Sequence, residues 1–241
     1  MSLPKIDTPI YELDLPISNK HIKFRPFLVK EQKNLLMALE ADDADTIHNN
    51  IKQVLMNCTL TEGIDIDTLP IVDIEYYFLN LRARSVSEIV EARYICNNEV
   101  DGVECGNMME TQINVLEIDV KKNDLIKDII QLTDKVSVKL KYPQFKSVKK
   151  AAEISDIADL AMMMIVDSID CIYDTEQTYQ AKDSSREELI EFVESLNQAQ
   201  FSKIEEFFEN LPQLDKTLNV KCSKCGFDHT IFFEGLESFF D

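Results

Sequence analysis

Apolar and polar residues alternate over residues 10–15 (IYELDL) and again over residues 21–27 (HIKFRPF), with a five-residue turn between them. A period of two over two short runs predicts an N-terminal β-hairpin. The period then lengthens. Residues 29–39 place Leu35, Leu36 and Leu39 on one side of a helix. Residues 45–58 repeat the pattern with Ile47, Ile51, Val54, Leu55 and Cys58, and residues 72–84 with Ile74, Tyr77, Phe78 and Leu81. Three helices joined by short links predict an antiparallel cluster. Alternation returns at 86–96, 111–118 and 135–142, the last with Val136, Val138 and Leu140 on one face and Pro143 closing it. Helical spacing resumes at 155–173, 184–197 and 200–210, with Ser155 and Ser184 as candidate N-caps. A second hairpin is expected from 217–221 and 229–233. The chain therefore reads as α+β, helical clusters combined with antiparallel β-hairpins. Its expected segments are 1–85 (hairpin and helices), 86–150 (strands), 151–212 (helices) and 213–241 (hairpin and apolar tail).

Those two late hairpins carry the candidate chemistry. Cys222 and Cys225 in VKCSKCG have the spacing of a zinc knuckle: two intervening residues let both sulfurs turn toward one ion, and the glycine relaxes the backbone behind them. Cys96 and Cys105 in YICNNEVDGVECG are the other close pair, separated by eight residues instead of the usual two to four. Together Cys96, Cys105, Cys222 and Cys225 predict one structural Zn2+ site. Residues 86–118 and 213–241 would then form a discontinuous zinc-ribbon-like module with the helices of 155–210 inserted between its halves. His229, four residues past Cys225, is an alternative ligand, and the blander alternative is a metal-free site with free thiols. A redox CxxC fits less well, because that motif opens a helix in a βαβ setting. Cys58 and Cys171 lie on apolar helical faces, where a lone cysteine is a small buried hydrophobe. The run Met162, Met163, Met164 is likewise read as helix core.

The charge narrows the partners. With 25 Lys and Arg against 44 Asp and Glu, the formal charge of −19 repels phosphate backbones and argues against nucleic-acid binding. Basic protein surfaces are the partners it favours. No apolar run approaches the roughly twenty residues of a membrane helix, so no integral membrane segment is expected. The N-terminus shows neither a basic n-region nor an apolar h-region, which predicts a cytosolic origin and reduced cysteines. Three histidines, and no Gly-rich phosphate loop, GxSxG or HExxH, predict a protein that is not an enzyme. The end of the chain is different: Phe232, Phe233, Leu236, Phe239 and Phe240 crowd into eleven residues. They either pack back onto the ribbon or mark a partner-binding element.

Two stretches carry a family resemblance. Phe24-Arg25-Pro26-Phe27-Leu28-Val29-Lys30-Glu31-Gln32-Lys33 and the segment DIEYYFLNLRARSVSE at 73–88, followed by the paired cysteines, resemble the baseplate hub and hub-assembly proteins of T-even-type contractile-tailed bacteriophages. The resemblance implies a late protein of tail assembly and virion morphogenesis, either a hub component or an assembly chaperone. Its partners would be other phage baseplate hub proteins, met in the host cytoplasm during assembly and in the virion tail baseplate. The Phe24 to Lys33 segment is expected to supply contacts alongside the terminal phenylalanines. The alternative function is a zinc-ribbon adaptor or regulator that binds a host or viral enzyme.

Overall fold

In the computed structural model, which describes residues 6–40, 43–123, 126–152 and 154–234, the N-terminal alternation closes as expected. Strands β1 (Tyr11–Asp14) and β2 (His21–Phe24) pair antiparallel with Tyr11 opposite Phe24. Their turn is fastened to the helix that follows later in the chain: the buried Asp73 carboxylate accepts the backbone N–H groups of Ile17 and Ser18, both at 2.8 Å. Helices α1 (Val29–Glu40), α2 (Ala44–Cys58) and α3 (Ile71–Ser85) complete this layer. The stripes expected on α2 and α3 are the ones buried. On α1 the expected stripe is met in part: Leu35 packs against the first core and Ala38 and Glu31 are buried, whereas Leu36 is exposed.

Helix α3 is the central element because it is apolar on two sides. Ile74, Tyr77, Phe78 and Leu81 join Leu15, Ile22, Phe24, Val54, Leu55 and Cys58 in the first core. Leu79 and Ala83 face a second core with Ile113, Val115, Ile118, Leu214 and Ile231. That second core is where the two ends of the cysteine pattern meet. Strands β3 (Ile89–Ile95) and β6 (Met108–Asn114) form one antiparallel ribbon. Between them sits a miniature hairpin, β4 (Glu99–Val100) and β5 (Val103–Glu104). Strand β7 (Asp119–Lys121) then pairs with the start of β12 (Gln213–Lys221), which pairs with β13 (Asp228–Glu234), giving the sheet order β13-β12-β7. The β12–β7 pairing, with Leu214 opposite Val120, stitches the last strands to the middle of the chain.

The residues between these halves build a third core. Strands β8 (Ile129–Gln131), β9 (Ser137–Leu140), β10 (Ile169–Tyr173) and β11 (Thr178–Gln180) make a four-stranded antiparallel sheet in the order β11-β10-β9-β8. Helices α5 (Ile157–Ser168), α6 (Arg186–Glu194) and α7 (Gln198–Glu209) accompany it, whereas α4 (Phe145–Ala152) turns Phe145 and Val148 to the first core. The single helix expected over 155–173 is therefore a helix and a strand. Its N-cap is Asp156, whose carboxylate accepts the N–H groups of Ala158 and Asp159, and Ile169 leaves the helix in an extended conformation. Cys171 consequently lies buried on a strand and not on a helix. The next helix is capped by Ser185 in a capping box with Glu188, one residue later than expected, and Asn197 with Gln200 does the same for α7. Of the methionine run, Met163 is buried and Met162 packs against the third core, as gap-filling methionines do.

The two stretches that carry the family resemblance meet inside the molecule. Phe24 and Phe27 are buried, the backbone N–H of Phe27 donates to Ser85 Oγ at 3.0 Å, and Phe24 packs edge-on to Tyr77. Arg25 donates to the buried Glu31 at 3.1 Å, and Glu31 also accepts the Leu28 N–H at 2.7 Å. The distinctive residues of 24–33 thus serve as a joint between β2, α1 and α3, and only Leu28 and Val29 present apolar surface outward.

Candidate metal centre

The four cysteines predicted as ligands come together. Their Sγ atoms all lie within 4.8 Å of one another, with Cys96 and Cys225 at 3.6 Å and Cys105 and Cys222 at 3.8 Å. A tetrahedron of sulfurs held roughly 2.3 Å from a central ion has edges of about 3.8 Å, so the donor set fits a four-coordinate metal without rearrangement. Among the described residues no other group of His, Cys, Asp or Glu gathers in this way.

The two hairpins deliver the thiols by the same backbone device. In the first, Cys96 follows β3 and its N–H donates to Asn107 O at 2.8 Å, while Gly106 N–H donates back to Cys96 O at 3.0 Å. In the second, Cys222 follows β12, its N–H donates to Phe227 O at 2.8 Å, and Gly226 N–H donates to Cys222 O at 2.9 Å. Gly106 and Gly226 both adopt left-handed backbone, φ +61° and +75°, which a side chain disfavours. Cys96 thus matches Cys222, and Cys105 matches Cys225. The first thiol of each hairpin stands beside the second thiol of the other.

This equivalence explains the eight-residue spacing. Cys105 N–H donates to Asn98 O at 2.8 Å, closing off residues 99–104 as the separate β4–β5 excursion. Its turn is Asp101-Gly102, with φ +54° and +78°, the positive pair of a type I′ hairpin. With those six residues set aside, Cys96-Asn97-Asn98-Cys105-Gly106 has the CxxCG pattern of Cys222-Ser223-Lys224-Cys225-Gly226. The signal was present in the sequence as Asp-Gly between two valines.

Polar groups surround the sulfurs. Asn107 Nδ2 donates to Cys222 Sγ at 3.5 Å and Asn98 Nδ2 to Cys225 Sγ at 3.7 Å, roles that the sequence does not distinguish from ordinary turn-forming asparagines. His229 is buried with Nε2 at 3.1 Å from Cys96 Sγ, between the rings of Phe227 and Tyr94. It stands beside the cluster as a hydrogen-bond partner of Cys96, and the four cysteines make up the donor set. Burial pushes the Cys96 thiol up to about 12 and raises Cys105, whereas the backbone N–H groups of Cys225 and Lys224 help draw Cys222 down to about 6. Four thiolates around one ion would make a closed tetrahedral shell.

The remaining candidates are not part of this centre. Cys58 is buried in the first core, with its thiol pushed up to about 11 by burial, so it is an inert hydrophobe. Phe232 and Phe233 belong to β13, opposite Thr217 and Lys216. Leu236, Phe239 and Phe240 lie outside the described residues. No helix among the described residues is long and apolar enough to cross a membrane.

A family model described as T4 bacteriophage base plate protein matches residues 8–241, nearly the whole chain. No curated protein and no solved structure matches significantly.

Proposed function

From the premise that the chain belongs to the T4 bacteriophage base plate protein family, we propose that it works without catalysis, by binding other baseplate proteins while the central hub is assembled. The observation that supports this reading is the cluster of Cys96, Cys105, Cys222 and Cys225, which joins sequence positions more than a hundred residues apart in a donor set suited to a structural ion. Soft thiolate donors in tetrahedral spacing favour Zn2+. A zinc ion there supplies a cross-link between the β3–β6 and β12–β13 hairpins, making them one zinc-ribbon-like module. Asn98, Asn107 and His229 hold the thiolates in place around it.

The acidic surface supports a protein partner with basic character and disfavours nucleic acid. The protein is expected in the host cytoplasm with hub intermediates, acting as a hub component or as an assembly chaperone. Quantitative mass spectrometry of purified virions and of hub intermediates from infected cells separates these roles. Presence in both fits a component, and presence in intermediates alone fits a chaperone. Absence from both, with recovery on a polymerase or nuclease instead, contradicts the proposal and supports a regulator.

A further inference from the structure

The six residues that interrupt the first cysteine pair do nothing for the metal centre or for any core. Residues 99–104 are all exposed, and none belongs to a buried cluster. An isolated two-stranded hairpin has little stability of its own. This one is further burdened: Glu99 stands directly opposite Glu104, and like charges facing across a strand pair repel. Val100 stands opposite Val103, 46% and 70% exposed. Successive side chains on a strand point to opposite faces, so the finger has one apolar face and one anionic face. Asp101 at the tip adds a third carboxylate, and none of the three forms an ion pair among the described residues. At its root Ile95 and Met108 face each other across β3–β6, 62% and 58% exposed. The facing carboxylates weaken the isolated hairpin, the exposed valine pair leaves apolar area still to be buried, and one complementary surface answers both.

We propose that the β4–β5 hairpin is a docking finger that inserts into a notch on another baseplate protein, a notch with one apolar wall for Val100 and Val103 and one Lys/Arg wall for Glu99 and Glu104. The metal centre fixes the finger's root, since Cys96 and Cys105 bracket it, so the finger projects from a rigid base. This assignment rests on the proposed role in baseplate assembly and adds the surface and the partner's chemistry.

The test uses the full-length protein in infected cells, with a photo-crosslinking benzophenone amino acid replacing either Val103 or, as a distant comparison, the exposed Ile157 on α5. The expected result is a crosslink from position 103 to another baseplate protein, and none from position 157. Combining Glu99→Lys with Glu104→Lys should lower the yield about tenfold, the scale of one interfacial charge pair, with metal content unchanged. Baseplate crosslinks from 157 but not 103 overturn the finger and leave the assembly role standing. Crosslinks to baseplate proteins from neither position overturn the finger, and absence of the protein from hub intermediates and virions as well overturns both. A crosslink from 103 to a second copy of this chain, or a yield insensitive to the charge reversal, overturns the assigned occupant.

Discussion

Glu31 shows how single residues set the N-terminal joint. Burial alone would raise its pKa, but the Leu28 N–H and the Arg25 guanidinium hold it below the usual carboxylate value. A carboxylate depressed in the fold contributes stability that is complete above its unfolded value near 4.5 and is lost as pH falls through the folded value. Glu31→Gln leaves the Arg25 charge without its partner, and a loss of about 3 kcal/mol is expected in urea unfolding at pH 7. The substitution should also flatten the stability profile below pH 4.5. His48 acts at a higher pH. Burial against Phe145, with the rings stacked at 4.1 Å, lowers its pKa from 6.5, so the neutral ring is the folded form. Its contribution is intact above the unfolded value and is lost as pH falls from there toward the folded one. The groups around it are Asp45, Asp67, Lys52 and Lys149. His48→Phe should therefore remove the pH dependence of thermal stability just below pH 6.5.

Elements were legible where the hydrophobic period ran long enough. The first hairpin, α2, α3 and both cysteine hairpins follow from their spacing, because their buried positions recur at the period of the element; α3 hides only its second face, Leu79 and Ala83, from that pattern. The run from Met162 to Tyr173 misled for a physical reason: its apolar residues, broken only by Asp167, Ser168 and Asp170, can be placed on a helix or a buried strand, and the change at Ile169 comes with pairing to Leu140 on β9. Strands β7, β8 and β11 hold three residues each, too few to show a period. The cysteine site was legible as four ligands but not as two equivalent turns, since the β4–β5 excursion disguises the first CxxCG. Joining Asn98 directly to Cys105 by deleting residues 99–104 should preserve metal stoichiometry, and the shorter loop should shift stability by only about 1 kcal/mol. Loss of metal in that deletion would show that the hairpin is part of the centre. Conversely, Gly226→Val forces a β-branched side chain into left-handed backbone, and weaker metal retention against a competing chelator is expected.

At the scale of the whole molecule, three cores surround α3 and the inserted sheet, and the metal centre closes the circuit between the chain's middle and its end. Family membership was legible in residues 24–33 and 73–88, yet these prove to be an internal joint, so they mark the lineage through packing. Which residues remain exposed is not written in a hydrophobic period. The central claim is that one zinc ion joins Cys96 and Cys105 to Cys222 and Cys225. Native mass spectrometry of the full-length protein purified without added metal tests it most directly. The expected result is one zinc per chain, absent in each of Cys96→Ser, Cys105→Ser, Cys222→Ser and Cys225→Ser; a fully folded wild-type protein without bound metal would contradict it.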